Sequence, residues 1–171
     1  MALFINIKRI SIGLLLLITS SMCFANSSHN IYMMTLSILS YTKWNVPSPS
    51  LCIVGNNNNT QITNAFLQGV KTQNISLQVK GITEEQLALR SCDAIFFTQS
   101  TPESEQKLIN QSYNKSILSF SKDNPECEIG SIFCLYTSKK GNTLFKVNLD
   151  SLAKSKIHVD PRVLLLAKNS E

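Results

Sequence analysis

The chain has 171 residues, enough for one domain with a core of its own, and 43% of them are apolar. Sixteen basic and 11 acidic residues give a net charge of +5. Beyond the first 25 residues the basic charges are scattered, with only Lys139-Lys140 adjacent, a distribution that supports neither a nucleic-acid footprint nor a polybasic membrane patch.

The first 25 residues read as an address rather than as structure. Lys8-Arg9 precede an uncharged apolar run, Ile10 to Thr19, and small residues lead to Cys23-Phe24-Ala25, the layout of a secretory signal cut after Ala25. The run is short for a stable membrane span. Two rival readings are an uncleaved anchor and a lipoprotein. The second meets Met22 where a lipid-attachment site wants a small residue before Cys23. Cutting after Ala25 leaves residues 26–171 as a single domain with 14 basic and 11 acidic residues, a net charge of +3.

From His29 to Tyr41 the residues Ile31, Met34, Ile38 and Tyr41 recur at helical spacing, with Ser27 or Ser28 as cap. Pro47 and Pro49 break the chain after Trp44. Leu51 to Gly55 then reads as a short apolar strand, Thr60 to Val70 as a helix, Ile75 to Val79 as a strand, and Thr83 as the start of the next helix. Asp93 to Thr98 is another apolar strand, Thr101-Pro102 opens a helix to Gln111, and Ile117 to Phe120 closes the series. Strand and helix alternate throughout, which predicts a mainly parallel sheet covered on both faces, a Rossmann-like three-layer α/β arrangement.

The C-terminal part predicts a β-hairpin and a helical tail. Ile132 to Thr137 is apolar on both faces, as in a strand lying inside a sheet. Phe145, Val147 and Leu149 alternate with Lys146 and Asn148, the period of a strand with one wet face, and Ser138 to Asn142 with Gly141 makes the turn between the two. Asp150 is expected to cap a short helix through Lys154, and Asp160-Pro161 to open a second carrying Val163 to Ala167.

The sequence carries little that a catalyst needs. There is no GxSxG elbow, HExxH or Walker lysine motif, and the two histidines, His29 and His158, have no partner that spacing identifies. No cofactor or metal is expected. Four cysteines follow the signal: Cys52, Cys92, Cys127 and Cys134. An even number in an exported chain implies two disulfides with three possible pairings, and none forms the CxxC of a zinc or thioredoxin-like site. The preferred pairing is Cys52 with Cys92, at equivalent places on two strands expected to be neighbours, and Cys127 with Cys134, which flank one short loop. As ligand-binding candidates, Tyr41, Trp44 and Asn56 combine aromatic surface with a polar loop at a strand end, where doubly wound sheets bind ligands. Core packing is the competing role of the two aromatics, and a tolerant polar loop that of the Asn56–Asn59 run.

ILSYTKW at 38–44, LCIVG at 51–55, CDAIFF at 92–97, GSIFCL at 130–135 and FKVNLDSLAKSKIHVDPRVLLLAK at 145–168 together resemble the YfiR-like periplasmic proteins. These landmarks run in the family's order over nearly the whole chain after the signal. Asn45 departs from the proline that many relatives carry after the tryptophan. The resemblance implies a non-enzymatic, exported regulator that dimerises and represses an inner-membrane sensor protein, such as a diguanylate cyclase or a histidine kinase. Cyclic di-GMP and biofilm formation would be the outputs of the cyclase case. It also implies the same two cysteine pairs and a link between repression and the redox state of the periplasm.

Overall fold

The structure, a computed structural model, describes residues 28–55, 59–112 and 116–168. The expected signal lies outside these residues. Helix α1 (Ser28–Ser40) comes first, with the hydroxyls of Thr35 and Ser37 donating to the carbonyls of Ile31 and Met33, each at 2.9 Å. Its polar positions are thus satisfied within the helix, and Leu36, Ile38 and Leu39 are free to be buried.

The remaining elements are β1 (Ser50–Val54), α2 (Asn59–Gln73), β2 (Gln78–Ile82), α3 (Glu84–Leu87), β3 (Ala94–Phe97), α4 (Pro102–Gln111), β4 (Leu118–Ser121), β5 (Phe133–Thr137), β6 (Thr143–Val147) and α5 (Leu149–Ser155). A 3₁₀ turn, Pro161–Val163, then leads into α6 (Leu164–Lys168). The strands form one sheet in the order β2-β1-β3-β4-β5-β6, parallel from β2 to β5, with β6 antiparallel to β5. The expected α/β class and mainly parallel sheet are therefore observed. Between β5 and β6 the chain turns at Ser138–Asn142, where Ser138 N–H donates to Asn142 O at 2.8 Å and Gly141 takes φ +84°. That positive φ is the turn's need for glycine.

Alternation along the strands divides the core. Leu51, Ile53, Ala94, Phe96, Leu118, Phe120 and Phe133 meet Leu36 and Leu39 of α1 and Phe66 of α2 on one face. Cys52, Val54, Ile95 and Phe97 point the other way, where Leu87 of α3 and Leu108 and Ile109 of α4 cover them. Residues of both faces are buried in β1, β3 and β4, which is why these strands read as apolar runs rather than alternating ones.

Several boundaries differ from expectation, and Leu149, expected to continue the last strand, instead begins α5. The second strand is Gln78–Ile82, three residues later than the apolar stretch Ile75–Val79. Helix α2 continues to Gln73 and ends on Asn74 at φ +51°. Ile75 and Leu77 then fill the core as the chain turns, and pairing of Gln78 with Ser50 sets the register. The cap of α5 is Asn148 rather than Asp150, its side chain accepting from Ser151 N–H at 2.9 Å. Asn148 N–H donates to Ile132 O as the last rung between β5 and β6, so strand ends and helix begins on one residue.

The packing has a direct test. Phe96 stacks edge-on against Phe66 with centroids 5.0 Å apart at the middle of the first cluster. Phe96→Ala should lower unfolding free energy by about 3–5 kcal/mol. Leu89→Ala, at a side chain 86% exposed, should change it by no more than about 0.5 kcal/mol in the same urea titration.

Candidate functional site

Strand ends on the α3–α4 side of the sheet gather the cysteines. Cys52 in β1 is bonded to Cys92, just before β3, with Cα atoms 5.9 Å apart. Beside the bridge, Asp93 Oδ2 accepts from both the backbone N–H of Ser50, at 2.8 Å, and its hydroxyl, at 3.0 Å. Asp93 N–H donates to Ser50 O at 3.0 Å. The start of β1 is thereby locked to the start of β3 by covalent and hydrogen bonds together.

The second bridge, Cys127–Cys134, has Cα atoms 5.7 Å apart and closes the segment between β4 and β5. No helix occupies this crossover, so side chains must satisfy its backbone. Asn124 Oδ1 accepts from Cys127 N–H at 3.0 Å and Asn124 Nδ2 donates to Ile129 O at 2.7 Å. These bonds hold Cys127 in a left-handed backbone, φ +58°. Ser119 Oγ accepts from Ile132 N–H at 3.0 Å, and Ser151 Oγ donates to Gly130 O at 2.9 Å.

Glu105 of α4 stands at the centre of this network with none of its surface exposed. Its Oε2 accepts from Ser131 N–H at 3.1 Å and from Asn124 Nδ2 at 3.5 Å. Burial pushes the Glu105 carboxyl above the ordinary glutamate range, against the opposing pull of hydrogen bonds from Ser121, Ser131 and Asn124. A Cβ on Gly130, at φ +87°, would lie 2.7 Å from Glu105 Oε2 and 2.9 Å from Pro102 O. Glycine there lets the crossover close onto α4. Sequence reading missed this node, although helical spacing puts Glu105 in line with Leu108 and Ile109, and LSFS places Ser119 and Ser121 together on one strand face.

Of the ligand-binding candidates, Asn56 lies outside the described residues. Trp44 donates its indole N–H to Leu39 O at 3.2 Å and packs against the first core cluster. Tyr41 packs there too and borders an open depression shared with Lys43, His158, Asp160 and Arg162, but not with Trp44. The Arg162 guanidinium holds Asp160 down to about 2, helped by the Arg162 backbone N–H.

Residues 32–168 match the protein family described as YfiR/HmsC-like. The chain belongs to this family. The match takes in every strand, both bridges and the Glu105 node. YfiR/HmsC-like proteins form a regulatory rather than a catalytic family.

The bridges and the carboxyl each predict a measurement. Cys52→Ser, Cys92→Ser and the double variant should lose the same stability, about 4 kcal/mol, because each breaks one bridge. Cys127→Ser should lose less, about 2.5 kcal/mol, for its shorter loop. Additive losses at Cys52 and Cys92 in chemical denaturation would contradict the pairing. For Glu105 the folded protein keeps its proton at pH values where the unfolded chain has lost it. The contribution to stability is therefore complete below the ordinary glutamate range and is lost as pH rises through the raised value. Melting temperature measured between about pH 4 and pH 8 should show this decline in the native protein, and Glu105→Gln should flatten it.

Proposed function

We propose that this protein is an exported periplasmic regulator that binds the periplasmic sensor region of an inner-membrane signalling protein and represses it. A diguanylate cyclase is the favoured target and a sensor histidine kinase the second, with cyclic di-GMP level and biofilm formation as outputs of the first. The observation that carries this reading is the YfiR/HmsC-like match over residues 32–168. The two disulfides support it, since such bonds persist in an oxidising compartment. The domain acts as a homodimer, and its signal is residues 1–25.

Repression follows from a population shift. The oxidised fold binds one state of the sensor region, and the sensor's equilibrium moves toward that state by the difference in affinity. Reduction lowers the fraction of the regulator able to bind, most directly through the Cys127–Cys134 bridge, because the crossover it closes has no helix to hold it. A second reading, a periplasmic module that senses a small molecule, draws on Tyr41, Trp44 and Asn56, and both readings can hold in one protein.

Affinity capture of the tagged protein from native membranes, with and without a mild reductant, tests the first reading. A sensor-bearing cyclase or kinase should be recovered under oxidising conditions and lost on reduction. Recovery of no specific membrane protein in either condition would refute it.

A further inference from the structure

A cleft of about 380 Å³ opens where α4, the end of the crossover and α5 come together over β4. Its volume falls in the roughly 300–1,000 Å³ range of small-ligand sites. Ile109, Ile117 and Ile132 give it an apolar wall, and Gln106, Ser119 and Ser155 place polar groups around that wall. Lys154 of α5 is the one charged side chain that lines it. Among the described residues Lys154 joins no ion pair, the two pairs present being Lys122–Asp123 and Arg162–Asp160. The cleft is separate from the depression beside Tyr41.

We infer that this cleft binds a small monocarboxylate with a compact apolar body. The three isoleucines favour removal of an apolar group from water, and the unpaired ammonium at the rim favours an anion over a neutral or cationic ligand of the same shape. The polar groups around the wall leave room for a hydrated carboxylate to be hydrogen-bonded. One wall of the cleft is Gly130, whose N–H donates to Gln106 Oε1 at 3.3 Å and whose carbonyl accepts from Ser151. A bound carboxylate would therefore bear on the crossover that carries Cys127, coupling small-molecule binding to the loop. The inference stands independently of any membrane partner.

Benzoate is the probe, with benzamide as its neutral isostere and benzylamine as its cationic one. Protein spanning residues 26–171, labelled at isoleucine methyls, is titrated with each and followed by NMR. Benzoate should give saturable shifts of the Ile109, Ile117 and Ile132 methyls, with benzamide at least about threefold weaker and benzylamine weaker still. Lys154→Met, at an exposed position that leaves the core untouched, should weaken benzoate about fivefold and leave benzamide unchanged. Ile109→Trp should fill the cleft and abolish both. The inference is overturned if benzoate leaves the three methyls unmoved, if Lys154→Met binds it as well as the native protein does, or if binding survives Ile109→Trp.

Discussion

A parallel strand pair joined without a helix sets the main constraint on this domain. Between Ser121 and Phe133 the chain must run back along the sheet, and parallel neighbours ordinarily achieve this with a helix that satisfies its own backbone. Here Asn124, Ser119, Ser151 and above all Glu105 supply the missing hydrogen bonds, and the Cys127–Cys134 bridge fixes the loop ends. Gly130 has to be a glycine because the loop lies against Pro102 O and Glu105. Remove the carboxyl and the buried Ser131 N–H loses its acceptor; remove the bridge and Cys127 is no longer tied to β5.

That arrangement concentrates polar chemistry on one side of the sheet while the other side remains a hydrophobic interior. Phe66, Phe96 and Tyr32 pack in mutual edge and tilted contacts beneath α1 and α2, and Phe120, Phe133 and Phe145 continue the row toward the far edge. Apart from Tyr32, whose phenol burial pushes up, the aromatic face holds no titratable ring. The Glu105 face makes stability depend on proton uptake, and both bridges lie on that same side. The aromatic scaffold and the carboxyl-anchored crossover thus lie on opposite faces of one sheet.

Much of the architecture was legible in the residues. LCIV, AIFF and LSFS are short buried strands bounded by turn formers, and Thr101-Pro102 marks a helix start that the structure reproduces, with Thr101 Oγ1 accepting from Ser104 N–H. The preferred cysteine pairing, one of three possible, rested on two strands expected to be neighbours and on one short loop, and the structure has it. The start of β2 was hidden because Ile75 and Leu77 alternate like a strand yet serve as core plugs in a turn. The cap of α5 was hidden because Asn148 is at once the last rung of a sheet and the first residue of a helix. Glu105 looked like an ordinary charged residue of an amphipathic helix, since nothing local reveals that a loop 19 to 26 residues later will close over it.

The sequence by itself determined the α/β class, the order of strands and helices along the chain, a preferred disulfide pairing and the resemblance to a regulatory family. These depend on periodicity, turn chemistry and motif order, which are local properties of the chain. Only the tertiary structure decided which strand edges meet, that the β4–β5 crossover is held by a buried carboxyl, and that Lys154 lines a cleft with three isoleucines. Those features exist only when segments distant in sequence share one space, because burial and hydrogen bonding are properties of the assembled neighbourhood rather than of any residue in it.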